Sequence, residues 1–200
     1  KEQPMEAADT NPYIPIMFYN VENLFDTVDQ PRVFDEEFTP GAAKEWNGQK
    51  LFDKLDKIAR VAGEIDTIGY PAIIGICEVE NRDVLELLIA STPLKDQGYE
   101  IVHKESPDYR GIDVALLYRT DEFMLEDYRL WPVIFPFDSV YSTREVLYVK
   151  GNLNHLGSLH VFVNHWPSRS GGEVESRPKR IFVAGMVRTK VDSILEINPE

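Results

Sequence analysis

Ala72-Ile73-Ile74-Gly75-Ile76-Cys77-Glu78-Val79-Glu80-Asn81 is six apolar or neutral residues closed by two acids and an amide. A run that apolar, with no polar alternation, suits a β-strand covered on both faces. Two buried faces require material on each side, so the stretch asks for a layered α/β fold. Glu78 then sits at the mouth of a buried strand, where an ionised carboxylate needs a partner. A divalent cation would be one; an arginine or the next helix's N-terminus would be another. Asn81 suits the N-cap of a following helix with inner face Val84, Leu87 and Leu88.

Upstream, Ile14–Tyr19 reads as a first strand. Asp26–Asn47 is a long polar connection with two prolines, Gly41 and six acids, and loops of that length are usually functional or mobile. Leu51, Leu55, Ile58, Ala62 and Ile65 recur at helical spacing. Downstream the period shortens. Tyr99–His103, Asp113–Tyr118, Phe123–Trp131, Glu145–Leu153 and Ser158–Asn164 read as strands, the last two joined by a turn at Asn154-His155-Leu156-Gly157. A final helix spans about Ser176–Glu196 with Ala184, Val187, Val191, Ile194 and Leu195 as its stripe. The expected fold class is α/β: two sheets packed face to face with helices outside.

The chain has 200 residues, 43% hydrophobic and 28% charged, enough for one substantial core. No apolar run reaches membrane-spanning length. A formal charge of −13 argues against tight binding to duplex nucleic acid by bulk electrostatics. It does not oppose a nuclease that meets phosphate through a cation and a few arginines. Cys77 is the single cysteine, which excludes an intrachain disulfide. Residues 1–13 read as a weakly ordered tail and 14–200 as one domain. A polar start at Lys1 suits a targeting segment removed on export, so a periplasmic, surface or secreted location is expected.

Two further segments carry chemistry. Asn20 and Glu22 in Tyr19-Asn20-Val21-Glu22-Asn23 are two apart, so they share a face of a regular strand. Both offer oxygen to a metal or, for Asn20, an amide to phosphate; a strand end bonding its own backbone is the plain alternative. His165 in Asn164-His165-Trp166-Pro167-Ser168-Arg169 follows an apolar strand and can donate to a phosphoryl oxygen or leaving group; a hydrogen-bonded core histidine is the alternative. His103, His155 and His160 lack such surroundings and read as structural or exposed. Between Asn164 and Arg180, four basic side chains (Arg169, Arg177, Lys179, Arg180) stand against Glu173 and Glu175. Guanidinium groups suit phosphate. In Arg110-Gly111-Ile112-Asp113, Arg110 could reach a phosphate and Asp113 could orient it or a nearby histidine; a turn followed by a strand is the plain alternative. Oxygen donors without a Cys/His cluster favour Mg²⁺, with Mn²⁺ or Ca²⁺ also suited.

Together these segments resemble the endonuclease/exonuclease/phosphatase superfamily, which includes pancreatic-type deoxyribonuclease, abasic-site endonucleases, neutral sphingomyelinases and inositol polyphosphate 5-phosphatases. Residues 19–26, 78–81, 111–118 and 164–169 stand in family order and are most like the versions in exported proteins of Bacteroides-type bacteria. The resemblance spans about Ile14–Glu196. It implies the DNase-I-like four-layer α/β/β/α sandwich and Mg²⁺-dependent hydrolysis of phosphodiesters or phosphomonoesters in nucleic acid, phospholipid head groups or sugar phosphates. It implies Glu78 as principal metal ligand with Asn20 assisting, and His165 beside the scissile phosphate. Arg110, Asp113, Asn164 and Arg169 would bind substrate, with Glu22 a further metal ligand. The family's Gly-Asp-x-Asn and Ser-Asp-His segments have no counterpart, so the resemblance implies the N-terminal part of a longer domain, lacking its C-terminal strands. Such a piece is expected to be inactive alone and to self-associate through an uncovered face. A non-catalytic binding protein on the same fold is the alternative.

Overall fold

A computed structural model describes residues 13–31, 33–65, 69–154, 156–169 and 171–197. The expected N-terminal tail, except Tyr13, and His155 lie outside the described residues. Strands β1 (Ile16–Leu24), β2 (Ile73–Val79), β3 (Tyr99–His103) and β4 (Asp113–Arg119) form one sheet in the order β1-β2-β4-β3. β1 and β2 run parallel; the other neighbours are antiparallel. β5 (Phe123–Trp131), β6 (Val146–Leu153) and β7 (Gly157–Val163) form an antiparallel second sheet in sequence order. Helices α1 (Gly48–Glu64) and α2 (Arg82–Ser91) cover the first sheet, and α3 (Glu173–Ile197) the second. The result is the expected α/β/β/α sandwich.

Each layer follows from its side chains. Asn47 caps α1 by accepting from the Lys50 N–H at 3.1 Å, and Asn81 caps α2 by accepting from Val84 at 2.8 Å. Leu51, Leu55, Ile58, Ala59 and Ala62 of α1 pack with Val84, Leu85 and Leu88 of α2 onto Met17, Ile74, Ile76, Ala115 and Leu117. Ile65 falls just past α1 and is exposed; Leu85, not Leu87, is the third buried residue of α2. Between the sheets, Ile73, Cys77, Val114 and Leu116 meet Phe123, Leu147, Val149 and Val163. The inner sheet is thus apolar on both faces, as the Ala72–Cys77 run demanded. α3 differs from expectation: it docks through Phe182, Val183, Met186 and Val187, while Leu195 is exposed. Three strands do not cover four, and at the β1 end Ile16 and Phe18 remain 50% and 58% exposed.

The long acidic connection is tied down by its own acids. The Asp26 N–H donates to Glu80 Oε2 at 2.6 Å, Asn81 Nδ2 to Asp26 Oδ2 at 3.0 Å, and the Gln30 N–H to Asp35 Oδ2 at 3.0 Å. Phe25 and Phe38 stack at 4.0 Å between ring centroids beside Trp46, whose Nε1 donates to the Phe25 carbonyl. Asp35 and Glu80 are each 2% exposed, and one oxygen of each, Oδ1 and Oε1, has no other partner. Burial, then the charges of Asp26 and Asp35, push the Glu80 carboxyl up to about 8. It carries the proton that lets the two acids sit together.

The sign of the pH effect follows. Between the ordinary value of 4.5 and about 8, folded Glu80 keeps a proton that the unfolded chain has released. Its stabilisation is fully present below that window and is lost as pH rises through it. Glu80→Gln should therefore gain on the parent chain by about 2–3 kcal/mol between pH 5 and pH 8.5, read from denaturant unfolding at the two pH values. A gap that does not change with pH rejects the shared proton.

Candidate functional site

The site is built on a paired irregularity. β1 and β2 match residue for residue from Ile16↔Ile73 to Asn20↔Cys77, then resume at Leu24↔Val79. The slack is absorbed at Glu22, Asn23 and Glu78, with φ of +54°, +63° and +66°. Side chains other than glycine enter that region at a cost of order 1–3 kcal/mol each, and such residues gather at functional sites. Lys54 of α1 supports the bulge by donating to the carbonyls of Glu22 and Asn23.

Pairing with β2 lapses after Asn20, but burial still alternates through Asn20, Val21 and Glu22, so Asn20 and Glu22 both stand on the exposed side. Asn20 Oδ1 accepts from the Glu22 N–H at 2.8 Å, and Asn20 Nδ2 donates to Glu78 Oε1 at 3.1 Å. As placed, Asn20 orients Glu78, and its carbonyl is already engaged. Glu22 stands exposed on the bulge.

His165, just past β7, brings Nε2 to 3.3 Å from the same Glu78 oxygen. Burial, then the nearby Arg144 charge, depress its imidazole to about 4 against the pull of Glu78. It is therefore neutral near pH 7. The segment carrying it is pinned by Arg144, whose Nη2 donates to the carbonyls of His165 at 2.8 Å and Trp166 at 3.5 Å. Arg144 Nη1 donates to Asp108 Oδ2 at 2.6 Å, and both side chains are 1% exposed. Asp108 Oδ1 accepts from Arg110, through its backbone N–H at 3.0 Å and Nε at 3.2 Å. One buried carboxylate thus places both Arg110 and the His165 loop.

The remaining expected residues separate. Asp113 is buried, accepting from the Ser106 N–H at 2.9 Å and lying 3.0 Å from His103 Nε2. It braces β3 against β4 by orienting His103, one of the two roles expected of it, and is 1% exposed. His103, Glu105 and Asp113 are the one group of three such side chains, among the described residues, close enough to share an ion; the His103–Asp113 bond already occupies two of them. Asn164 is turned inward, with Nδ2 on the Phe162 carbonyl. Arg169 is exposed on the loop. Beyond Arg110 opens a cleft of about 640 Å³ walled by Tyr109, Phe137, Tyr141, Ser168 and Lys179, a size typical of small-molecule sites. Lys179 is held by Asp138 at 2.8 Å and lies 3.4 Å over Tyr141.

Glu78 fits a hard cation. Mg²⁺ takes one or two protein carboxylates and fills its remaining positions with water and substrate phosphate. Glu78 is one partly exposed carboxylate whose near neighbours at Oε1 are a neutral amide and a neutral imidazole. Sequence reading missed Lys54, Asp108 and Arg144. The signal for Arg144 was an arginine immediately before an apolar strand; for Asp108 it was a Pro-Asp turn two residues ahead of Arg110.

Removing one member of a buried ion pair leaves the other charge uncompensated. Arg144→Met should cost about 3–5 kcal/mol, and adding Asp108→Asn should recover part of the loss. Denaturant unfolding of both variants checks this; equal stability of Arg144→Met and the parent would mean the pair carries no such role.

A family model for the endonuclease/exonuclease/phosphatase family matches residues 15–200. Among solved structures, a Bacteroides thetaiotaomicron endonuclease/exonuclease/phosphatase family protein is 17% identical with a TM-score of 0.57, covering 90% of this chain and 57% of that one. The endonuclease/exonuclease/phosphatase from Bacteroides vulgatus is 18% identical with a TM-score of 0.55, covering 90% and 59%. TDP2 from Caenorhabditis elegans is 22% identical with a TM-score of 0.55, covering 76% and 40%. These likenesses are of fold, and the chain spans about half the length of the structures it matches. No curated protein sequence matches it. With its sandwich, its strand-mouth residues and a family match over residues 15–200, this chain belongs to the endonuclease/exonuclease/phosphatase family.

Proposed function

We propose that this chain serves the hydrolysis of phosphodiester or phosphomonoester bonds, with a divalent cation, Mg²⁺ before Mn²⁺ or Ca²⁺, held at Glu78. The observation that carries the reading is the convergence of Asn20, Glu78 and a neutral His165 on one carboxylate oxygen, at the bulged ends of two parallel strands. When bound, the cation supplies Lewis-acid polarisation of the phosphoryl oxygen. The protein's own groups do the rest. Asn20 holds the Glu78 carboxylate in one orientation. His165, uncharged near neutral pH, offers a single N–H to a phosphoryl or leaving oxygen. Arg110, fixed by Asp108, stands where its guanidinium offsets charge that develops on the phosphate. Substituents on the phosphate lie along the cleft beyond Arg110, whose aromatic walls favour a ring-bearing group.

Turnover by the whole protein that carries this chain, on a panel of phosphodiesters and phosphomonoesters with and without Mg²⁺, tests the reading, and the variants below are made in that protein. Glu78→Gln should lower kcat at least a hundredfold, about 3 kcal/mol of barrier, with the fold retained because glutamine can follow the same backbone. Turnover like the parent's would remove Glu78 from the mechanism. His165→Ala should lower kcat more than it raises KM, since donation is needed most in the transition state. If only the unfolding midpoint moves, His165 is a packing residue. Specific binding of phosphoesters with no turnover on any of them would mark a binding protein.

A further inference from the structure

Beside the site, four polar atoms are buried without a partner in the protein: Thr143 Oγ1, Arg144 Nε, Asn164 Oδ1 and His165 Nδ1. The residues that carry them line a single small cavity, with Val133 and Val146 among its apolar walls. It leaves about 10 Å³ for the centre of a water molecule, the smallest space that admits one. Buried polar atoms are almost always hydrogen-bonded to protein or to ordered water.

The polarity of the four atoms can be worked out. Arg144 Nε–H can only donate. Asn164 Oδ1 can only accept, and the Asn164 orientation is set because Nδ2 donates to the Phe162 carbonyl at 3.1 Å. His165 Nε2 faces a carboxylate oxygen at 3.3 Å. A lone pair there would be repelled, so Nε2 carries the proton and Nδ1 carries the acceptor lone pair. Thr143 Oγ1–H is free to donate. Two donors and two acceptors around one small space match the two acceptor lone pairs and two protons of one water.

We propose that this cavity is a single-water site whose occupant accepts from Arg144 Nε and Thr143 Oγ1 and donates to Asn164 Oδ1 and His165 Nδ1, locking His165 as the Nε2–H tautomer. His165 is then a fixed donor towards Glu78 and towards a phosphoryl oxygen, not a base. Thr143 and Asn164 become positioning residues that act through the water. Arg144 acts twice, through its carbonyl bonds to the loop and through Nε. The tautomer rests on geometry alone; its catalytic consequence rests on the phosphoesterase reading.

Two measurements on the unaltered chain test this. A crystal structure that shows ordered solvent should have a water within hydrogen-bond reach of all four atoms. Imidazole ¹⁵N spectra, with His165→Ala to identify the signals, should show Nε2 protonated and Nδ1 bare. A dry cavity, a direct Thr143–His165 bond in its place, or a proton on Nδ1 would overturn the proposal. Thr143→Val removes one of the four partners at nearly constant shape. It should raise the Nδ1–H population and lower kcat on the order of tenfold, as loss of a group behind a catalytic side chain commonly does, with KM little changed. Thr143→Ser should restore both. An unchanged tautomer in Thr143→Val counts against the proposal. The spectra need no turnover: a water and an Nε2–H tautomer in a chain that hydrolyses nothing would remove the phosphoesterase reading and leave this one standing. Turnover with a bare Nε2 would do the reverse.

Discussion

The Asp108–Arg144 ion pair is the constraint on which the functional end of the sandwich depends. The first sheet contributes Asp108 from the β3–β4 connection, and the second contributes Arg144 at the entry to β6. Taking two charges out of water is expensive, and a buried pair is tolerated only if further hydrogen bonds satisfy what remains. Here they do so productively. Nη2 of Arg144 goes to the His165 and Trp166 carbonyls, leaving only Nε without a protein partner, and the spare acceptor of Asp108 goes to Arg110. A loop after β7 and a loop before β4, from different sheets, are thereby held in one frame.

The regular parts of this arrangement were readable from sequence, and the reason is periodicity. Tyr99–His103 and Phe123–Trp131 have the bounds expected. The unbroken apolar run at Ala72–Cys77 identified a strand covered on both sides, which sets the layering. Asn81 announced its helix by an acceptor side chain at the right offset. Reading failed where local periodicity was overridden. β1 continues to Leu24, but two positive-φ residues turn the chain; Asn23 is a residue type that tolerates this conformation, whereas nothing marks Glu22. In α3, residues at helical spacing are common all round, so the stripe was ambiguous. The docked face was decided by contact with Trp131 and Phe162 of the second sheet and Phe135 of the β5–β6 connection, which is tertiary information.

The site divides along the same line. Glu78, Asn20 and His165 were legible because each stands at the end of an apolar strand, where a polar side chain is conspicuous. Asp113 took the histidine-orienting role, one of the two expected of it. It also opens a strand, but the neighbouring strand presents His103 at bonding distance, and the pair closes on itself. Position at a strand mouth marks candidates; whether a candidate faces solvent depends on what the adjacent strand offers it.

A chain of charge −13 is a poor host for phosphate by bulk electrostatics, but several acids near the site are individually buried or paired. Asp108 is matched by Arg110 and Arg144. Asp113 is bonded to His103 and a backbone N–H. Glu80, two residues from Glu78, is held in its neutral form by burial. Asp138 on the cleft wall is paired with Lys179. Burial and pairing therefore offset these four acids, while Glu22 stays exposed on the bulge and Glu175 lines the cleft. Glu78 is treated differently: an amide and an uncharged imidazole approach its Oε1, and neither neutralises it. Lowering the histidine's basicity belongs with this, because a protonated imidazole would offset the Glu78 carboxylate on which the proposed cation depends. The neutral His165 and the unmatched Glu78 are thus one arrangement seen from two sides.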